Sequence, residues 1–257
     1  MTSEYSGAGD VTRSMALLWG KGERPSRGPK PSLTVERIAQ AAIELADAEG
    51  ITGLSMRHVA TKLNVGTMSL YRYVPSKAEL IDVMLDRVYG ENLDQPDPDD
   101  GWRKGLERIA RGQWAMYLRH NWLLQVSSGR PLLGPNSLKG FESSLRLLAG
   151  LGLTDVDRVN VIGLVSNYVS GTARTAIEAA MVAQQTGISD EQFWSAQGPI
   201  LSEVLYGGDY PEVAALGGEI YGEVADTAFD FGLDRLLDGI ELVIRRKACS
   251  DPTDAAR

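Results

Sequence analysis

The side chains best suited to chemistry cluster between positions 55 and 77: Ser55, Arg57, Thr67, Met68, Ser69, Tyr71, Arg72, Tyr73 and Lys77. Hydroxyls, two guanidinium groups and an ammonium are donors for phosphate oxygens. Thr, Ser and Arg can also bond base edges, and an apolar methyl can touch thymine. The setting agrees with that chemistry. From Gly50 to Ala78 the chain carries Arg57, Lys62, Arg72 and Lys77 and no acidic residue. Residues 1–77 hold ten basic and seven acidic side chains, a balance of +3, whereas the whole chain of 257 residues has a net charge of −8. A locally basic front end on an acidic protein points to a polyanion partner for that end alone.

Other chemistries have little to work with. Two histidines and one cysteine, Cys249, nearly exclude His–Cys catalysis, a multi-cysteine metal site and any disulfide within the chain. There is no nucleophile elbow, no phosphate-cradling glycine loop and no HExxH. A helical enzyme working with carboxylates, or a purely structural helical adaptor, is the rival class, but nothing pairs the acids in sequence. No metal and no cofactor are expected. A hydrophobic content of 43% excludes global disorder. No apolar run approaches the ~18 residues of a membrane span, and Met15-Ala16-Leu17-Leu18-Trp19 is too short for a signal segment. The lone cysteine fits a reducing compartment, so a cytoplasmic protein without a membrane partner is expected.

To present the basic cluster the chain needs short, tightly joined helices. Periodicity is helical throughout and strand signals are weak, which makes the fold class all-α. Thr34 caps a helix that carries Val35, Ile38, Ala42 and Leu45 on one stripe and ends at Glu49-Gly50. Ser55 caps a second helix, Met56 to Leu63, and Asn64-Val65-Gly66 forms a tight turn with Asn64 left-handed. A third helix runs from Thr67 to Tyr73 and stops before Pro75. Ser76 and Glu79 read as a capping box opening a fourth, through about Val88. Two short helices across a three-residue turn are a helix-turn-helix, with small Ala60 at the crossing and Val65 and Leu70 as apolar plugs.

Residues 32–90 resemble the N-terminal DNA-binding domain of the tetracycline-repressor (TetR) family of bacterial regulators. The likeness rests on Ile38-Ala39-Gln40-Ala41-Ala42, Ala48-Glu49-Gly50, Leu54-Ser55-Met56-Arg57 and Val59-Ala60. Above all it rests on Val65-Gly66-Thr67-Met68-Ser69-Leu70-Tyr71-Arg72-Tyr73-Val74, with Lys77 and Leu80 closing the pattern. Asn64 stands where the family usually has glycine, and Tyr73 where Phe or His is frequent. The resemblance implies double-stranded operator DNA as partner. Arg57, Thr67, Met68 and Ser69 would face the major groove, while Tyr71, Tyr73 and Lys77 would bind phosphate with Ser55 assisting and Arg72 in either role. It also implies a larger helical ligand-binding and dimerisation domain, a homodimer, and a repressor released by a small organic effector. The alternative is a ligand-independent regulator.

Composition divides the chain into a flexible basic N-terminal arm (1–31), the helix-turn-helix domain with its linking helix (32–90) and a linker around Pro96 and Pro98 (91–100). A helical regulatory and dimerisation domain (101–248) and a disordered tail (249–257) complete it. The arm holds Arg13, Lys21, Arg24, Arg27 and Lys30, and either reaches the DNA backbone or minor groove or is an unstructured tail. Val156–Gln185 reads as one long helix, in which Gly163 and Gly171 mark close approach to a neighbour. In a last helix, Asp226 to about Lys247, Phe229, Leu233, Leu236, Ile240 and Val243 form a heptad-like seam. The resemblance turns that seam into a dimer interface. An aromatic pocket with polar tips such as Gln113 would suit a drug-sized molecule, and Trp114, Tyr117, His120, Trp122, Asn167, Tyr168 and Trp194 are its candidate lining. For any single one of them, plain core is the commoner role.

Overall fold

The structure, a computed structural model, describes residues 4–21, 33–91, 101–127, 129–216 and 220–250. Asp10 caps α1 (Val11–Leu18), its carboxylate accepting from the N–H groups of Thr12 and Arg13. Thr34 caps α2 (Val35–Glu49), which ends at Gly50 with φ at +78°. Ser55 caps α3 (Met56–Lys62), α4 spans Thr67–Leu70, and Ser76 opens α5 (Lys77–Tyr89). Then come α6 (Gly101–Arg119), a 3-10 turn at Asn121–Gln125, α7 (Pro135–Leu147), α8 (Asp155–Thr186), α9 (Asp190–Tyr206), α10 (Pro211–Ala214) and α11 (Ile220–Ser250). Among the described residues the fold is all-α apart from one parallel pair, β1 (Glu4–Tyr5) on β2 (Val126–Ser127). The two long helices read from periodicity are α8 and α11, the latter longer at both ends.

The chain forms two compact units, Met1–Gly163 and Leu164–Arg257, rather than parting at the proline-punctuated segment 91–100. Residues 92–100 lie outside the described residues. The first core explains the difference. It joins Ile38 and Ile43 of α2, Val59 of α3, Leu70 of α4 and Leu80 and Met84 of α5 to Met116, Trp122, Leu123 and Val126. Trp122, fully buried, donates its indole N–H to Asp47 of α2 at 2.8 Å. Helices α2 to α5 therefore share one core with the end of α6.

Residues 4–21 also depart from the expected flexible arm. Ser14 is fully buried and donates to Asp82 Oδ2 at 2.6 Å. Ser6 Oγ and the Gly7 N–H donate to Asp82 Oδ1 at 3.2 and 2.9 Å, and Trp19 Nε1 donates to the Leu133 carbonyl at 3.1 Å. Pro25, Pro29 and Pro31 come after α1 in the sequence. Residues 22–32, with Arg24, Arg27 and Lys30, lie outside the described residues, as do 251–257 of the expected tail. Cys249 and Ser250 instead finish α11.

One side of α5 buries three carboxylates: Glu79 at 3% exposure, Asp82 at 2% and Asp86 at 6%. Asp86 Oδ1 accepts from the N–H groups of Asn136 and Ser137 at 3.2 and 2.9 Å, capping the start of α7. Gly134 makes room, since a Cβ there would collide with the Asp86 side chain. Glu79 was expected to bond back to the Ser76 N–H in a capping box. It receives the Ser76 hydroxyl on one oxygen and the Asp10 N–H, at 3.0 Å, on the other.

Burial opposes the charge on Glu79, but the Ser76 hydroxyl and the Asp10 N–H outweigh it and hold the carboxyl below its ordinary pKa of 4.5. A carboxylate depressed in the folded state adds stability above its unfolded pKa, and that stability disappears as the pH falls through the folded value. Glu79→Gln should lower stability at neutral pH and flatten the loss of stability below about pH 4.5. Urea titrations across that range measure both. An acid limb as steep as that of the unaltered protein would contradict the assignment.

Candidate nucleic-acid interface

The α3–α4 junction is built from local hydrogen bonds. Ser55 Oγ accepts from the His58 N–H at 3.2 Å, and Thr61 Oγ1 donates to the Arg57 carbonyl at 3.0 Å. The chain then reverses at Asn64, with φ at +54°, the one non-glycine residue with positive φ among those described. Asparagine tolerates this conformation because its short amide bonds locally. The reversal sets the Val65 N–H on the Ala60 carbonyl at 3.0 Å, and Ala60, almost fully buried, keeps the crossing close. Leu70 and Val74 are fully buried and anchor the far end. Helix α4 is shorter than expected. Residues 71–73 form a turn in which the Tyr73 and Val74 N–H groups both reach the Leu70 carbonyl at 2.9 Å.

On this scaffold Arg57, Tyr71 and Arg72 are exposed and Met68 is 76% exposed, whereas Ser55, Thr67 and Ser69 are half-buried. Arg72 Nη2 lies 3.5 Å from Ser69 Oγ. Tyr73 packs partly against the core, so its ring has a structural role as well. Lys77 is engaged: its Nζ donates to the Ile51 carbonyl at 3.3 Å and pairs with Glu4 Oε1 at 2.8 Å. Lys62 is paired as well, with Glu44 at 2.8 Å. Neither acid lies in the acid-free window, so the window's composition gave no sign of them. His58 is exposed, with Nδ1 3.1 Å from the Gly53 carbonyl. Among the described residues no three of His, Cys, Asp and Glu come together as a metal site, and no helix is long and apolar enough to cross a membrane.

Residues 33–84 match the family described as bacterial regulatory proteins, tetR family. Residues 95–244 match the tetracyclin repressor-like C-terminal domain. The chain belongs to the tetracycline-repressor family. It is 49% identical to the HTH-type transcriptional repressor DrrR1 of Streptomyces coeruleorubidus, over 98% of this chain and 93% of that protein. The class A tetracycline repressor of Escherichia coli is 28% identical over 81% of this chain and 92% of its own length. The solved structure of ActR from Streptomyces coelicolor in complex with (S)-DNPA aligns with a TM-score of 0.66 and 29% identity, covering 82% of this chain and 98% of that one. ActR in complex with actinorhodin aligns at 0.60 and 27%, covering 81% and 95%.

In this tetracycline-repressor relative the candidate ligand residues divide between the two units. Trp122 and His120 are corrected to core. His120, 2% exposed, sits between Asp47 Oδ1 at 2.7 Å and Glu91 Oε2 at 3.0 Å. With both ring nitrogens engaged, it has no free edge for a ligand. Tyr117 packs against the same core, and Trp114 is half-buried. In the second unit the Tyr168 hydroxyl donates to the Ala228 and Phe229 carbonyls at 2.8 and 2.9 Å, and its ring stacks on Phe229. That ties α8 to α11. Asn167 and Trp194 are exposed. One polar tip named from sequence, Gln113, has a buried Oε1 without a hydrogen-bond partner.

Within the chain, the buried line of α11 follows the expected seam at three of its five positions. Phe229, Leu233, Leu237 and Ile240 are buried, whereas Leu236 is half-buried and Val243 exposed. The buried line thus steps through Leu237, and Leu236 turns aside. Gly163 and Gly171 do not mark a close approach within the chain, because a Cβ at either would meet nothing within 4 Å. Close approach falls at Gly232, where a Cβ would collide with the Tyr168 ring reaching across to α11.

The turn yields a direct test. Asn64→Val places a β-branched side chain at φ +54° and should cost about 1–2 kcal/mol. Asn64→Gly should leave stability within about 0.5 kcal/mol of the original, because glycine adopts that conformation freely. Urea unfolding of the two variants compares them, and equal midpoints would show that the turn does not depend on this conformation.

Proposed function

We propose that the protein is a homodimeric repressor of the cytoplasm, which binds a pseudo-palindromic operator through α3 and α4 and is released by a small organic effector. The observation that carries this reading is the Asn64-closed helix-turn-helix with Arg57, Met68, Tyr71 and Arg72 turned outward. It stands in a chain 49% identical to a protein named a transcriptional repressor. Arg57, Thr67, Met68 and Ser69 read the major groove. Tyr71, Tyr73 and Lys77 hold phosphate, Ser55 assists, and Arg72 serves either purpose. No step is catalytic.

A one-turn recognition helix touches few base pairs, so a second copy is needed to double the readout. Exposed apolar side chains in the second unit support that second copy: Val182 on α8, and Phe231, Leu242 and Val243 on α11. Groups of this kind standing in water mark association surfaces. The open space above Gly163 and Gly171 lets a partner helix approach α8 closely. The effector reading draws support from the ActR complexes with (S)-DNPA and actinorhodin. In this chain it rests on Gln113, whose unpartnered buried oxygen a ligand donor would satisfy, and on neighbouring Trp114. Asn167 and Trp194 are the remaining candidates.

Footprinting on DNA flanking the gene should protect two half-sites with centres about 34–36 Å apart, or farther if the domains splay. Arg57→Ala should cost about 1–3 kcal/mol per base contact and relax specificity. Lys77→Ala should weaken all sequences alike and lower the salt slope, by at most about one unit. Protection of a single half-site, or a monomer at micromolar concentration, would contradict the proposal.

The effector makes a separate prediction. A molecule that favours one orientation of the two DNA-binding domains by about 1–3 kcal/mol changes operator affinity roughly 5–150-fold, and operator DNA must weaken its binding by the same factor. Once a screen has found a binder, its dissociation constant is measured with and without operator. Equal constants would mean that it is not the inducer.

A further inference from the structure

We infer that Glu4 occupies the phosphate position on Lys77, so that the N-terminal segment and the DNA backbone compete for one ammonium. The inference rests on the proposed role of Lys77 at the backbone. Lys77 is the first residue of α5, directly after the recognition turn. One of its three N–H donors goes to the Ile51 carbonyl at 3.3 Å and one to Glu4 Oε1 at 2.8 Å. A carboxylate oxygen at that distance makes the charge-assisted hydrogen bond that a phosphate oxygen would make.

Glu4 is held in place by more than this one ion pair. It stands opposite Val126 in the β1–β2 pair, with Tyr5 opposite Ser127, and the Ser6 N–H donates to the Ser127 carbonyl at 3.0 Å. Two and three residues along, Ser6 and Gly7 are bonded to Asp82, five positions after Lys77 on the same helix. The backbone at and just after Glu4 is thus tethered both to β2 and to α5, and a tethered carboxylate competes at high effective concentration. DNA must either displace it or meet a neutralised lysine. Each alternative weakens binding to every sequence and leaves the base-reading side chains untouched. The described part of the N-terminal segment therefore lowers backbone affinity, the reverse of the contact expected for a basic arm.

The test is a double-mutant cycle of Glu4→Gln and Lys77→Ala, titrated on operator and on unrelated DNA over a series of salt concentrations. Glu4→Gln should tighten both DNAs roughly 1.5- to 5-fold at low salt, the range of an exposed ion pair. The slope lost on Lys77→Ala should be larger in the Glu4→Gln background, approaching about 0.9. In the Lys77→Ala background, Glu4→Gln should change nothing. Equal tightening with and without Lys77 would mean that the acid acts through its general field, and it would overturn the inference. So would a Glu4→Gln affinity equal to or weaker than that of the unaltered protein, while Lys77→Ala still lowered the slope. If Lys77→Ala changed neither affinity nor slope in either background, the phosphate role itself would fail and take the inference with it.

Discussion

Carboxylates taken out of water without a matching cation have to be met by N–H and O–H donors, and α5 buries three of them on one side. The donors are backbone amides and serine hydroxyls: Ser76 and Asp10 at Glu79, Ser6, Gly7 and Ser14 at Asp82, Asn136 and Ser137 at Asp86. Removing one donor leaves part of a buried charge unsatisfied, which costs about 1–3 kcal/mol or more. The N-terminal segment, α5 and the start of α7 are therefore fixed to one another by groups that none of them can spare. In a repressor of this family α5 joins the helix-turn-helix to the regulatory helices. Leu80 and Met84 of α5 share a core with Ile38, Val59 and Leu70, so these carboxylates also fix α5 against α2, α3 and α4.

What was legible in the sequence was whatever is decided locally. Thr34, Ser55 and Ser76 cap the helices they were expected to cap, each bonding within three residues. Asn64 takes the left-handed turn that a tight reversal requires. The N-terminal segment escaped because its bonds are long-range. Ser14 is an ordinary small polar residue in sequence, and only Asp82, 68 positions away, makes it a buried anchor. Composition described the arm as basic, but Arg24, Arg27 and Lys30 come after α1. The same limit applies to Lys77. An acid-free window says nothing about an acid 73 positions upstream that folding brings to 2.8 Å.

Two of the candidate ligand residues, His120 and Trp122, turned out to be core for a related reason. A pattern such as Trp114, Tyr117, His120 and Trp122 presents aromatic rings with polar tips, which suits a ligand or a core equally well. The choice lies with partners that sequence spacing cannot show. Asp47 on α2 takes both the His120 ring and the Trp122 indole, at 2.7 and 2.8 Å, and Glu91 takes the other His120 nitrogen. Once the polar tips are satisfied, the rings become packing. Gln113 was the weaker candidate from sequence, yet its buried oxygen is still without a partner.

That contrast bears on how a signal could pass within the first unit. Gln113 and His120 lie seven residues apart along α6 and its end, about two helical turns or ~10 Å. His120 is bonded both to α2, through Asp47, and to the residues just after α5, through Glu91. A helix is stiff over two turns, so a displacement at Gln113 arrives at His120 with little loss. There it meets a knot whose two carboxylates belong to α2 and to the chain just after α5. Rotating the ring away from either would expose an unsatisfied buried group, so the two sides move together or pay for separating. The structure holds the bonded arrangement, and an effector that bound an unbonded one more tightly would shift the balance between the two.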